Sequence, residues 1–279
     1  ETVNRWIAGE SERALAKVTE ALEAFRFNEA AGAVYHFIWH IYCDWYLELI
    51  KPVLMGEDEA AKAETRAMAA FVLDLALQLL HPFMPFVTEE LWAKRMPEGE
   101  RRDSLLMLSE WPTHLGLQNA EADAEMGWLI KFVTEVRSVR AEMNVPAGAK
   151  APLVVVGASE ATKARVAAHE ETLKRLARID TIDFASAPPT GSVQVVLDEA
   201  VLALPLAGVI DIGAESERLK REIDKVGSEI EQLTAKLSNE KFVSRAPEHV
   251  VEEQRERKSE AESVAVKLAQ ALKRLEAVL

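Results

Sequence analysis

Tyr35-His-Phe-Ile-Trp-His-Ile-Tyr-Cys-Asp-Trp-Tyr-Leu-Glu-Leu-Ile-Lys-Pro52 is the stretch on which the reading of the fold turns. Together with Val34 it places Phe37, Ile38, Ile41 and Trp45 at the three- and four-residue steps of a helix with one apolar face. Its Cys43–Glu48 core, Cys-Asp-Trp-Tyr-Leu-Glu, is too particular a string to arise from amphipathicity alone. Upstream, Leu15, Val18, Leu22 and Phe25 keep the same rhythm, so residues 4–50 read as two helices broken near Phe27-Asn28. Pro52 and a loop around Gly56-Glu57-Asp58-Glu59 end the second. A third, rich in Ala and Leu, runs from Ala60 to Leu80. Pro82 and Pro85 interrupt the pattern, and a fourth starts at Thr88-Glu-Glu-Leu-Trp92, with Thr88 as its expected cap.

After Ala120 the pattern changes. An amphipathic helix from Trp128 to Met143 leads through Val145-Pro146-Ala147-Gly148 into a strand at Pro152–Val156. A helix over about 160–177 and short β-like runs at Thr181–Ala185, Val193–Leu197 and Ala200–Leu206 follow. Beyond Gly213 the spacing is that of a coiled coil. Leu219, Ile223, Val226, Ile230, Leu233 and Leu237 alternate steps of four and three, as do Ala261, Val264, Leu268, Ala271, Leu275 and Val278. The turn-like linker Ser238–His249 makes these two runs an antiparallel hairpin whose first helix reaches on the order of 35–40 Å. The expected fold is mainly α: a helical bundle over 1–120, a small α+β module over 121–213 and a C-terminal antiparallel coiled-coil hairpin over 214–279.

With 279 residues, 49% hydrophobic and 28% charged, the chain has room for two or three domains. No apolar run is long enough to span a membrane and no signal segment opens the chain, so a cytoplasmic protein is expected. Cys43 is the single cysteine, which excludes an internal disulfide and a zinc site built from cysteine pairs. Glu1 opens inside what reads as a helix, so a fragment with sequence missing upstream is expected. The net charge of −13 argues against a nucleic-acid partner, since phosphate contacts supply most of that affinity. The acid is unevenly spread, however. Residues 1–120 hold 11 basic against 19 acidic residues, 121–213 hold 9 against 13, and 214–279 hold 13 against 14.

His36, His40 and Cys43 share a helix face and could be drawn as metal ligands, but no fourth ligand accompanies them and the aromatic crowding favours packing. No metal site is assigned, and no nucleophile elbow, phosphate-cradling loop or catalytic residue is found. Asp44, Glu48 and Lys51 read as a solvated helix face rather than a surface touching RNA. The hairpin is the better candidate. Its tip carries Lys241, Phe242 and Arg245, where cations reach phosphates and Phe242 either stacks on a base or caps the two-helix core. Arg218, Arg221, Lys225 and Lys236 on the first helix and Arg255 and Lys258 on the second complete the candidate set. These flanking residues, with Lys220, Arg257 and Lys267, are interleaved with glutamates, and most of them read as solvated pairs.

Three ordered blocks carry a family resemblance across essentially the whole chain: Cys43–Glu48, His81-Pro-Phe-Met-Pro-Phe-Val-Thr-Glu-Glu-Leu-Trp92, and Asn239-Glu-Lys-Phe-Val-Ser-Arg-Ala-Pro-Glu-His-Val-Val251. The first is similar to valyl-tRNA synthetases, the second to the anticodon-binding domains of the valyl, isoleucyl and leucyl enzymes, and the third to the tip of the valyl C-terminal arm. Arg137-Ser-Val-Arg140-Ala-Glu-Met-Asn-Val-Pro146 resembles that family's connection into its α+β module. The resemblance implies a bundle of the class I synthetase anticodon-binding type and an arm that braces the outer corner of tRNA(Val). It further implies a catalytic domain on the same polypeptide that joins valine to tRNA(Val) with ATP and Mg²⁺ and edits threonine. The His-Ile-Gly-His and Lys-Met-Ser-Lys-Ser signatures are absent, so this chain alone is expected not to aminoacylate, and the family's anticodon-contacting Asn-Lys-x-x-Asn-x-x-Arg-Phe helix would lie upstream. An isoleucyl or leucyl parent is an alternative, though one cysteine excludes the cysteine-rich zinc ending common in isoleucyl enzymes. A coiled-coil assembly module is another, distinguished by a mass that doubles only with 214–279 present; a monomer is expected.

Overall fold

The computed structural model describes residues 1–95, 104–245 and 247–276, apart from the side chains of Glu240, Lys241 and Arg245, and divides into two compact units, Glu1–Ile130 and Lys131–Leu279. The first unit is built on α1 (Thr2–Glu23), whose buried face holds Trp6, Ile7, Leu15 and Val18. At its end Phe25 adopts the left-handed conformation, φ 58°. The Arg26 amide then reaches back to the Ala21 carbonyl at 2.8 Å, closing the helix with a six-residue turn. That places the break at Ala24–Arg26, just before the predicted Phe27-Asn28.

The chain continues as α2 (Phe27–Tyr35), a π-helical segment (His36–Tyr46) and α3 (Leu47–Leu49). The wider turn is a correction to the simple helical reading. Buried positions run Ala30, Val34 and Phe37, then Tyr42 and Tyr46. An α-helix would have continued through Ile41 and Trp45, which are only half-buried. Bonding to the fifth residue puts more residues in each turn, and the inward stripe slips by one. Tyr46 gains a partner in the slip: its hydroxyl donates to Asn4 Oδ1 at 3.1 Å, while burial pushes its pKa up.

Lys51–Met55 forms α4 around Pro52, and α5 (Glu59–Leu80) begins under Asp58, whose carboxylate accepts from the Ala60 and Ala61 amides at 2.9 and 3.0 Å. Helix α6 (Pro85–Lys94) starts at Pro85. Thr88 is therefore not its cap but an interior residue, fully buried. Its hydroxyl donates to the Met84 carbonyl at 2.9 Å, so His81 Nδ1, 2.7 Å away, must be the donor to Thr88 Oγ1. The pair staples the His-Pro-Phe-Met-Pro-Phe turn, in which Met84 and Phe86 are exposed. Two carboxylates then hold the segment before the next helix: Glu89 accepts from the Leu106 amide at 2.7 Å and Glu12 from Leu115 at 2.8 Å. Helix α7 (Ala120–Glu142) begins earlier than Trp128, capped by Asn119 and tied to α1 by a two-pronged Arg13–Asp123 pair at 2.9 Å.

In the second unit β1 (Ala151–Val156), α8 (Glu160–Ala177), β2 (Ile179–Ala185), β3 (Ser192–Leu197) and β4 (Ala200–Pro205) form a four-stranded sheet ordered β2-β1-β4-β3. The β1–α8–β2 crossover makes its strands parallel, and the other two pairings are antiparallel. Leu153, Val155, Leu202, Leu204, Val193 and Leu197 share the buried face, while Gln194 and Val196 alternate outward. The β3–β4 turn carries Asp198 at φ 53° and Glu199. Glu199 accepts from the Ser159 and Thr162 hydroxyls, both at 2.6 Å, and these bonds hold its carboxyl down at about 2. Near the end of α7, Arg140 is 6% exposed. Its guanidinium donates to the carbonyls of Ala149, Pro146 and Arg178 at 2.6, 3.2 and 3.3 Å. Desolvation, with Arg178 nearby, lowers its pKa.

Candidate nucleic-acid interface

The arm consists of α9 (Ile212–Leu237), the short α10 (Glu240–Arg245) and α11 (Glu248–Glu276). Asp211 caps α9 by accepting from the Ala214 amide at 2.9 Å, and 26 residues give the helix a length of about 39 Å. The hairpin closes along Leu219, Ile223, Val226, Ile230, Leu233 and Leu237 of α9, of which Leu219 and Leu233 are buried and the others half-buried. On α11 the inward residues are Val251, Gln254, Lys258, Ala261, Ala265, Leu268, Ala271, Leu272 and Leu275. The sequence placed Val264 in this seam, whereas it is 44% exposed. Two seam positions near the tip, Gln254 and Lys258, are polar, and the register they set steps by four from Ala261 to Ala265. Val278 lies outside the described residues.

Arg218, Arg221 and Lys225 follow at i, i+3 and i+7, and Lys236 lies five turns beyond Arg218, so all four occupy one flank of α9. Their engagements differ. Arg218 is held by the buried carboxylate of Glu215 at 2.6 Å, which raises its pKa. Arg221 donates to the Glu217 carbonyl at 3.1 Å, leaving its positive charge unneutralised there. Lys225 is exposed and has no ion pair among the described residues. Lys236 crosses the hairpin to Gln254 Oε1 at 2.9 Å and stands 5.0 Å over the ring of Phe242. Phe242 is half-buried under that ammonium. Lys241 and Arg245 have side chains outside the described residues.

On α11, Arg257 bridges to Glu229 of α9 at 2.6 Å. Arg255 lies two residues away, about 200° around the helix, and pairs with Glu252 at 3.2 Å. It therefore faces away from the flank that Arg257 touches. Lys258 is partly covered in the seam and 3.5 Å from Glu262. The sequence thus grouped Arg255 with residues from which the helix rotation separates it, while Arg257, in an exposed ion pair, lies on the flank that Arg218, Arg221, Lys225 and Lys236 share. These surface pairs are each worth under about 1 kcal/mol and yield readily to a polyanion.

In the first unit the imidazoles of His36 and His40 are 5.5 Å apart and His40 Nδ1 is 3.4 Å from Asp44. Cys43 is exposed, with burial and Asp44 raising its pKa. Among the described residues no group of three or more His, Cys, Asp and Glu could hold a metal ion. Nor is any helix of the described residues long and apolar enough to cross a membrane.

Residues 4–155 match the family described as the anticodon-binding domain of tRNA ligase, and residues 211–276 match the valyl tRNA synthetase tRNA binding arm. The chain belongs to the anticodon-binding domain family of tRNA ligases. More particularly, it matches the C-terminal part of valine–tRNA ligases. It is 53% identical over 273 residues to that of Mesorhizobium japonicum, covering 98% of this chain and 29% of the relative. It is likewise 53% identical over 277 residues to that of Caulobacter vibrioides, covering 99% and 31%. With the enzyme of Brucella suis the identity is 51% over 273 residues, covering 98% and 30%. The chain thus spans less than a third of the length of these curated relatives.

Proposed function

We propose that this chain is the tRNA-binding part of a cytoplasmic, monomeric valine–tRNA ligase, whose catalytic domain, elsewhere on the polypeptide, uses ATP and Mg²⁺ to charge tRNA(Val). The observation that carries the reading is the arm. An extended hairpin about 39 Å long, with Arg218, Arg221, Lys225 and Lys236 along one flank, suits a tRNA surface recognised by shape and phosphates. The proposed division of labour is a bundle over 1–120, a connecting α+β module over 121–213 and the arm over 214–279. Intrachain pairing of α9 with α11 uses the apolar seam internally, which weighs against the assembly-module reading.

The test is a titration with tRNA(Val) of the chain and of its Lys241→Glu, Arg245→Glu double variant. Weaker binding with a flatter salt dependence and unchanged helicity is expected. Unchanged affinity would remove the tip from the interface.

A further inference from the structure

Beyond the arm, the first unit holds a cavity of about 300 Å³ between α1, α5, α6 and the segment that precedes α7. Its lining includes Glu12 of α1, Phe71, Asp74 and Gln78 of α5, Trp92 of α6 and Leu115 of that segment. Most of the lining is apolar, and it contains no Lys, Arg or His. Small-molecule sites begin at about this volume, and they join apolar and aromatic walls to a few polar groups that fix orientation.

The two carboxylates in the wall stand in different states. Asp74 is held in a two-pronged pair by Arg95, so its charge is balanced. Glu12 has no Lys or Arg partner among the described residues, and its side chain is only 6% exposed. One of its oxygens accepts from the Leu115 amide at 2.8 Å, and the other lies 3.2 Å from Nδ1 of the half-exposed His114. Those two contacts use about half of a carboxylate's acceptor capacity. Holding Leu115 requires an acceptor but no charge, because an amide carbonyl accepts the same bond. A buried carboxylate is costly without a cation beside it, so the charge on Glu12 exceeds what the local structure needs. Gln78 is half-buried, and its side chain makes no hydrogen bond to another described residue.

We infer that this cavity binds a compact organic ammonium ion. Its ammonium group sits at Glu12 with the Gln78 carbonyl as a second acceptor, and its apolar body lies against Phe71, Trp92 and Leu115. Aromatic neighbours add to the attraction for a cation. A bare metal ion does not fit, since no group of three metal-ligating side chains is assembled among the described residues. RNA phosphate does not fit either, because it would meet the unbalanced charge of Glu12.

The experiment is calorimetric titration of the 279-residue chain with 2-phenylethylammonium, beside the neutral 2-phenylethanol and the anionic 3-phenylpropionate. The ammonium should bind saturably, the alcohol about tenfold or more weakly, and the anion more weakly still, as loss of a charge-assisted bond to a buried group implies. Glu12→Gln keeps an acceptor for the Leu115 amide and should abolish the preference for ammonium over alcohol. Gln78→Trp fills the space and should weaken both, with circular dichroism checking that helicity is unchanged. Equal binding of ammonium and alcohol would reduce the site to an apolar hole and overturn the inference. So would no saturable binding of the ammonium, or a preference that Glu12→Gln leaves intact. Should Glu12→Gln fail to fold, Gln78→Trp carries the test: ammonium affinity that it leaves unchanged would place the ligand outside this cavity and overturn the inference as well.

Discussion

In the bundle Ile7, Phe37, Tyr46 and Leu79, drawn from α1, the π-helical segment and α5, are each 1% exposed or less. Across the 26 residues of α9 only Leu219 among apolar side chains is as completely covered, with Leu233 next at 5% exposed. The bundle is organised from its interior, and its surface is whatever the core leaves outside. The arm has one seam, lined on α11 by a mixture of alanines, leucines and the polar Gln254 and Lys258, and nearly everything else it owns is surface. A long reach at low core volume is what a brace requires, and its stability is spread thinly along its length.

The comparison is broken most forcefully at the core. Phe37→Ala should cost about 3–5 kcal/mol in denaturant unfolding, whereas Leu233→Ala should sit near the low end for leucine, about 2 kcal/mol. Equal losses would mean the arm seam is as deeply packed as the bundle. Next comes Arg140→Leu, which removes a buried guanidinium and strips three part-buried carbonyls of their donor, and should destabilise the second unit by roughly 1–3 kcal/mol. A melting curve that does not move would show those carbonyls finding other partners. A smaller effect separates the arm's two sides. Arg221→Glu with Lys225→Glu should lower the slope of log affinity for tRNA against log salt by about 2, while Arg255→Glu should change it little. The reverse ranking would place the RNA on the other flank. Smallest of all is Gly227→Ala in α9. An added Cβ meets nothing within 4 Å, so helix propensity alone should raise arm stability by about 0.5–1 kcal/mol; a loss would reveal a contact at that position.

The same contrast governs how much was legible in the sequence. Helices α5, α8 and α9 and the four strands followed from apolar spacing and breakers, because each has one buried face and a sharp end. The π-helical slip was not legible, since Ile41 and Trp45 satisfy an α-helical count as well as Tyr42 and Tyr46 satisfy the wider one. Thr88 looked like a cap because its seven-residue partnership with His81 is invisible until the turn is folded. Asp58, the cap of α5, was present in the quoted loop, and its signal was the run of helix formers that follows it. In the arm, residue types pointed to a basic surface, but only the rotation of each helix assigns Arg257 and Arg255 to different sides. Polar Gln254 and Lys258 in the seam hid the register that exposes Val264.

The central claim, that these residues hold tRNA, is tested most directly by titrating the chain with tRNA(Val) and tRNA(Ile) in one moderate-salt buffer. The account predicts binding of both through the shared tRNA shape. No binding to either would contradict it, leaving the bundle and arm as a scaffold whose contact with tRNA lies elsewhere.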